Sequence, residues 1–201
     1  MTILNGKKEG KTMDYLEMIN YAVTIPEDYK IAEEDDQVRN GVMVHIVRLQ
    51  PAGEFVINGP RIIGIFENDA LVSLKDLSEI PSGALLDEDV AVEKAEQVLA
   101  AINPEYGNGE MFLRVDYQER EFFDEEGELQ YFPVQWIKFA GYSGNYAWAT
   151  LGSGGKLIEV EYESEWDYFR GRRKTEMWDN DDWVQAYYGQ GPQLASPNAL
   201  A

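Results

Sequence analysis

Lys156-Leu-Ile-Glu-Val-Glu-Tyr-Glu-Ser164 is the stretch of sequence that decides the predicted fold. Apolar residues and glutamates alternate along it: Ile158, Val160 and Tyr162 against Glu159, Glu161 and Glu163. Successive side chains of a β-strand point to opposite faces of the sheet, so this alternation is typical of a half-buried strand. We therefore expect a sheet with one face on a core and the three glutamates in water.

The preceding segments predict further strands. Three of them are rich in β-branched and aromatic residues: 111–122, 129–140 and 146–151. Pro133 indicates an edge strand or a bulge, because proline has no N–H for the ladder. The glycine-rich residues 152–155 predict a hairpin turn, since a strand follows them where a phosphate-binding loop requires a helix.

An apolar stripe predicts a helix before these strands. The stripe is formed by Val92, Ala95, Val98, Leu99 and Ile102. Asp87 is suited to the N-cap, and Pro104 and Gly107 end the helix.

The first half of the chain predicts a similar series of elements. Residues 12–21 predict a short helix, with Thr12 as its cap. Strands are expected over 42–49, 61–66 and 70–74. The acidic run Glu33-Glu-Asp-Asp36 indicates a solvated loop, and Pro81-Ser-Gly83 indicates a boundary between the halves.

The second half resembles the PepSY-like domains, in the tandem form of the YcdB/YcdC group of bacterial proteins. Three stretches carry the resemblance: 87–99 as the opening helix, 134–139 as the middle strand and 147–160 as the closing hairpin. The likeness covers 87–164, and 13–76 match more loosely. Gly152 and Ser153 stand where that family usually has an acidic turn residue, and the missing leader is a second departure. The resemblance implies a module without catalysis, of a kind proposed to bind or inhibit peptidases.

These observations predict an α+β protein of two tandem helix-plus-antiparallel-sheet (PepSY-like) modules with a short C-terminal helix. The two modules are expected over residues 1–82 and 83–165. An aromatic and basic C-terminal segment follows over 166–188, in which Asp179–Asp182 caps the short helix. Residues 189–201 are low in bulky side chains and predict a disordered tail.

The composition excludes many kinds of chemistry. The chain has no cysteine and one histidine, His45, which excludes thiolate metal sites and sites that need two imidazoles. Asp179, Asp181 and Asp182 lack the glycine and glutamate of a calcium loop, because Val184 and Gln190 stand at those positions. His45 lies in an apolar strand and is expected to be a half-buried sheet residue. We therefore expect no catalytic residue, cofactor or metal.

The net charge of −20 limits the partners. A chain this acidic is repelled by nucleic acid and by anionic membrane surfaces. No apolar run of signal-peptide or membrane-span length is present, so a cytoplasmic location is expected, with an extracytoplasmic fragment lacking its leader as the alternative. The expected partner is another protein.

The C-terminal segment is the candidate binding surface, because tryptophan, tyrosine and arginine are the residues that anchor interfaces. Six residues are the proposed anchors: Trp166, Tyr168, Arg170, Arg172, Trp178 and Trp183. The alternative for this segment is a lid packed over the sheet.

The function expected from the sequence is that of a non-catalytic protein-binding or inhibitory module of a bacterial cell. One alternative is an immunity or antitoxin-like inhibitor that presents residues 33–36 and 124–126 to a basic toxin. A second alternative is a carboxylate-only hydrolase, whose signature would be two acids in a cleft with pKa values pushed apart.

Overall fold

The computed structural model of the protein describes residues 7–8, 11–12, 14–105, 110–141 and 143–201. The predicted helix stop at Gly107 lies outside these residues. The helices of the described part are α1 (Tyr15–Ala22), α2 (Glu88–Ile102) and α3 (Asp181–Tyr187). Its longer strands are β3 (Tyr29–Arg39), β4 (Val42–Pro51), β5 (Arg61–Glu67), β6 (Ala70–Leu77), β7 (Met111–Phe123), β8 (Leu129–Ala140), β9 (Tyr146–Gly152) and β10 (Leu157–Ser164). Two-residue strands form two small ladders, β1 (Lys7–Lys8) with β2 (Lys11–Thr12) and β11 (Trp166–Asp167) with β12 (Arg172–Arg173).

Strands β3 to β10 form one antiparallel sheet in the order β3-β4-β5-β6-β10-β9-β8-β7. Each half of the chain supplies a four-stranded meander that follows a helix, α1 before β3 and α2 before β7. The halves meet where β6 pairs with β10, with Leu74 opposite Val160. The last strand of each meander thus lies in the middle of the sheet.

The prediction of two tandem helix-plus-sheet modules is therefore wrong. Residues 71–77 of β6 and 158–162 of β10 are all buried. If the halves were separate modules, both strands would be edges with a row of unpaired backbone N–H and C=O groups. Pairing β6 with β10 satisfies those groups and merges the halves into a continuous sheet. In the described residues, the strands contain more of the chain than the three short helices do.

Most local predictions are confirmed. Strand β8 has the predicted bounds, and Pro133 lies in the part of β8 that pairs with β7 alone, before the pairing with β9 begins at Val134. The acidic run 33–36 is not a loop, because it pairs within β3 at the edge of the sheet. Asp14 caps α1 through a capping box with Glu17, so the predicted cap is wrong.

One face of the sheet is covered by α1 and α2. Ile19 of α1 is fully buried against Gly64 of β5, where an added Cβ would come within 3.0 Å of it. Helix α2 buries Ala91, Ala95 and Leu99 against β8 and β9. The other members of the predicted apolar stripe are partly buried beside them, so the stripe is confirmed, and Ala91 is an addition to it. Asp87 is the N-cap residue of α2, as predicted, but its side chain makes no capping hydrogen bond.

The C-terminal segment covers part of the opposite face. Met177, Trp178 and Trp183 pack with Val44, Ile63, Ile65 and Val72 in a second apolar cluster. Asn180 caps α3 by accepting a hydrogen bond from the backbone N–H of Trp183. The expected disordered tail is corrected here, because Ala199 is fully buried in this cluster and the N–H of Arg173 donates to the Pro197 carbonyl at 2.8 Å.

Contacts across the curved sheet bring distant strands together. Arg39, at the end of edge strand β3, is fully buried and donates to Glu161 of β10 at 2.8 Å. At the other end, the N–H of Phe123 in β7 donates to the carbonyl of Asn58, between β4 and β5, at 2.8 Å. In the part of the chain that the structure describes, no helix is long and apolar enough to cross a membrane.

Candidate functional site

An open pocket of about 630 Å³ lies on the part of the outer sheet face that the C-terminal apolar cluster leaves free. Its floor is formed by outward side chains of β7, β8, β9 and β10, with Lys75 of β6 at one end. Residues from 166–198 form the opposite wall. Ligand pockets of proteins have volumes of about 300–1,000 Å³, so this pocket has the size of a binding site.

The floor contains two of the glutamates that the alternation predicts to lie in water. Glu159 and Glu161 are only 6% and 2% exposed, so this prediction is wrong for both. Glu159 accepts hydrogen bonds from Arg120 at 2.7 and 2.9 Å and from Thr150 Oγ1 at 2.6 Å. Glu161 accepts from Arg39 at 2.8 Å and from Arg173 at 2.5 Å. Buried carboxylates of this kind are stable only because cations surround them.

Lys75 links the floor to the wall. Its Nζ lies 2.8 Å from Asp179 of the C-terminal segment and 3.5 Å from Glu159 of β10. Burial by itself raises the pKa of Glu159, but Arg120 and Lys75 outweigh burial and hold that pKa well below its usual range. Burial also raises the pKa of Asp179, but Lys75 and Arg173 outweigh burial, so this pKa is lowered as well. Both carboxylates are therefore ionised near neutral pH.

Aromatic rings line the mouth of the pocket. Trp136 of β8 and Trp148 of β9 have ring centroids 5.4 Å apart. Tyr146 of β9 shares a 2.5 Å hydrogen bond between hydroxyl oxygens with Tyr168, which ties the sheet to the segment that carries Trp166. Aromatic side chains offer large contact areas at a low entropic cost, which is typical of recognition surfaces.

Lys138 lies among these rings. Its Nζ is 3.7 Å from the ring centroid of Tyr146, 5.4 Å from that of Trp136 and 5.5 Å from that of Trp166. The residue is 7% exposed. No carboxylate of the described chain lies within ion-pair distance of it, and Asp116 acts on it only from farther away. Burial, followed by the nearby Arg114 guanidinium, lowers the pKa of Lys138.

The six predicted anchors lie in two different places. Trp166 and Tyr168 line the pocket, and Arg170 is exposed beside them, with Arg172 half-buried. Trp178 and Trp183 are 6% and 1% exposed and belong to the core, so they anchor the C-terminal segment to the sheet. Trp178 and Trp183 therefore fit the alternative in which the segment packs over the sheet as a lid. The prediction of a binding surface now concerns only the other four anchors.

Several pocket residues were not among the sequence-based anchors. Arg114, Arg120, Lys138 and Glu159 come from strands that pair in the sheet, and the sequence predicts a binding role for none of them. The available signal was the alternation of side chains along each strand. It places them on one face, but it does not say that residues 166–198 fold back over that face.

Asp181 and His45 lie outside this pocket and make structural contacts. Asp181 is buried and pairs with Arg48, with Arg61 at 3.5 Å and with the backbone N–H of Asn58 at 2.6 Å. His45 lies 2.9 Å from Asp36 and stacks on Tyr15. Within residues 14–105, 110–141 and 143–201, no group of acids and histidine has the arrangement of a metal site.

No protein-family model, curated protein or solved structure matched the chain when each was compared with it. The resemblance to PepSY-like domains therefore stays a prediction. The fold and the site together define the chain as an antiparallel-sheet protein with an open, charged aromatic pocket.

Proposed function

We propose that the protein is a non-catalytic binding protein that holds a ligand, or a group of a partner protein, in the pocket between β7–β10 and residues 166–198. The observation that carries this proposal is the combination of an open volume of about 630 Å³ with three tryptophans at its lining. The cytoplasmic location and the protein partner expected from the sequence stay predictions alongside it.

The floor of the pocket favours binding over acid–base chemistry. A carboxylate-only hydrolase needs one carboxylic acid that keeps its proton near neutral pH beside one that is ionised. Glu159 and Asp179 both have lowered pKa values and are both held by Lys75. An arrangement of this kind stabilises the shape of the pocket and supplies no proton donor from this pair.

A ligand survey with two matched variants tests the proposal. A thermal-shift screen of small molecules and short peptides should yield compounds that raise the midpoint of unfolding, because a ligand that binds only the native state stabilises it by mass action. The shift should vanish in Trp148→Ala, which removes a ring from the pocket. It should persist in Tyr131→Ala, which removes a ring that is 66% exposed and outside the pocket lining.

Two results would contradict the proposal. The first is a set of stabilising compounds whose shifts are the same in Trp148→Ala and in the unsubstituted protein. The second is a screen in which neither library contains a stabilising compound, while the protein unfolds cooperatively and so remains suited to the assay.

The acidic edge of the sheet supports a second candidate function, that of an inhibitor of a basic protein. Glu33, Glu34, Asp35 and Asp36 are exposed on β3, whose outer edge carries no further strand of the described sheet. An extended basic segment would find unpaired backbone groups and opposite charge along this edge.

A salt titration tests this second function. A 12-residue peptide of alternating lysine and threonine should bind, with an affinity that falls steeply as salt is added. Glu33→Gln/Asp35→Asn should weaken this binding, and Glu88→Gln/Asp89→Asn, with the same change in charge at exposed positions of α2, should not. Equal loss in both variants would indicate attraction by net charge alone and would contradict an edge site.

A further inference from the structure

The charge of the pocket is opposite in sign to the charge of the chain. Five cationic side chains line it, Lys75, Arg114, Arg120, Lys138 and Arg173, against four carboxylates, Asp116, Glu159, Glu161 and Asp179. The whole chain has a net charge of −20. A local excess of cations inside so acidic a protein is a specific feature of this surface.

Two cations of the pocket, Lys138 and Arg173, lack a full counter-charge. Lys138 is directly opposite Trp148 in the β8–β9 ladder and has no ion pair with a described carboxylate. Arg173 lies over the ring of Trp148, with its guanidinium carbon 5.3 Å from the ring centroid. Arg173 shares Glu161 with Arg39, so two guanidinium groups divide one carboxylate, and the buried Nε of Arg173 has no hydrogen-bond partner in the described structure.

The other charges of the pocket are already paired. Arg120 is held by Glu159, Lys75 lies between Glu159 and Asp179, and Arg114 contacts Asp116 at 2.7 Å. A ligand cation would meet carboxylates that already have cationic partners, although the buried Oδ1 of Asp179 has no hydrogen-bond partner in the described structure. A ligand anion would meet Lys138, which has no ion pair with a described carboxylate, and Arg173, whose partner Glu161 is shared with Arg39.

We propose that the pocket binds an aromatic anion, whose charged group is held by Lys138 and Arg173 and whose ring lies against Trp136, Trp148 and Trp166. This inference rests on the function proposed above and adds the class of ligand. An aromatic carboxylate is supplied by a free aromatic acid or by the C-terminal carboxylate of a partner chain that ends in an aromatic residue. Charge-assisted hydrogen bonds select an anion over a neutral ligand, and the tryptophan rings provide apolar contact area for the aromatic ring of the ligand.

A matched pair of fluorescent probes tests the charge requirement. 8-Anilinonaphthalene-1-sulfonate is an anion, and N-phenyl-1-naphthylamine carries the same rings without the charge. We expect the sulfonate to bind at least 10-fold more tightly, as hydrogen bonds to charged groups imply. Lys138→Met should weaken the sulfonate about 10-fold or more and leave the neutral probe unchanged. Lys30→Met, which removes an exposed lysine on β3, is the matched control and should change neither.

Competition separates the two sources of the anion. 1-Naphthoate represents a free acid and should displace the sulfonate, whereas 1-naphthamide should not. A short peptide that ends in phenylalanine is compared with its C-terminal amide. Displacement by the peptide acid supports a partner's chain end as the source, and displacement by naphthoate alone supports a small aromatic acid.

The outcomes distinguish this inference from the function on which it rests. If the neutral probe binds as tightly as the sulfonate, and Trp148→Ala abolishes both, the pocket binds ligands but the anion requirement is wrong. If Lys138→Met and Lys30→Met weaken the sulfonate equally, the attraction is general and the assigned anion site is also wrong. If neither probe is affected by Trp148→Ala, the pocket itself is not a binding site.

Discussion

Removing the carboxylate of Glu161 is the sharpest test of how the pocket floor is held together. Glu161 is 2% exposed and accepts hydrogen bonds from two guanidinium groups, those of Arg39 and Arg173. Arg39 is fully buried, and its guanidinium also donates a hydrogen bond to the carbonyl of Tyr162 at 2.7 Å. Glu161→Gln keeps the shape of the side chain and removes the negative charge that both cations share.

The expected loss of stability is about 3–5 kcal/mol, which is typical when one partner of a buried ion pair is removed and the other charge stays in place. A domain of this size has a free energy of unfolding of about 5–15 kcal/mol, so the variant loses a large part of its stability and should have a much lower midpoint. With a urea dependence of about 2 kcal/mol per molar, the midpoint should fall by about 1.5–2.5 M.

Urea unfolding followed by tryptophan fluorescence measures this change. Glu121→Gln, at an exposed position of β7, removes the same charge from the surface and should change the free energy by no more than about 0.5 kcal/mol. The slope against urea should be the same in all variants, since the surface exposed on unfolding does not change.

A second substitution shows whether the buried charge is the cause. Glu161→Gln combined with Arg39→Met replaces the unpaired guanidinium with an apolar side chain of similar length, and it should recover a large part of the loss. A loss below about 1 kcal/mol in Glu161→Gln, or a double variant no more stable than the single one, would refute this account of the pocket floor.

Two further predictions concern a titrating acid and a packed glycine. Burial, and then the charge of Glu163, raises the pKa of Glu110 to about 7, so Glu110 holds its proton more strongly in the folded chain than in the unfolded one. The stability that protonated Glu110 contributes is therefore lost as the pH rises from about 4.5 to about 7. Glu110→Gln should have a higher melting temperature than the unsubstituted protein at pH 8 but not at pH 4. Equal melting temperatures at pH 8 would contradict this prediction. Gly64→Ala should cost about 1–3 kcal/mol in urea unfolding, because its Cβ would lie 3.0 Å from the buried Ile19; an unchanged midpoint would show that α1 moves away at no cost.

Local patterns predicted most of the elements but not how the halves assemble. The stripe of α2 and the bounds of β8 follow from periodicities of 3.6 and 2 within one segment, which depend on neighbouring residues alone. The pairing of β6 with β10 joins strands about 85 residues apart, and no local pattern encodes it. The prediction of a loop over 33–36 is wrong for a related reason. An edge strand tolerates charged residues that an inner strand does not, and no local pattern shows that this segment lies at an edge.

The site was the hardest part to predict. Trp166 and Tyr168 were chosen by composition, and the pocket includes both. Composition also selected Trp178 and Trp183, and nothing in it distinguishes a tryptophan of the core from one at a pocket wall. The difference arises from where residues 166–198 cross the sheet.

The alternation from 156 to 164 determined by itself that this segment is a strand with two chemically different faces, because a period of two is a property of the extended backbone. The sequence also determined the acidity of the chain and the lack of thiols. Only the tertiary structure decided that the glutamate face is buried, since that depends on Arg39, Arg120 and Arg173 arriving from other parts of the chain to neutralise it. A charged face lies in water or in an ion-paired floor according to which cations reach it, and that depends on the path of the whole chain.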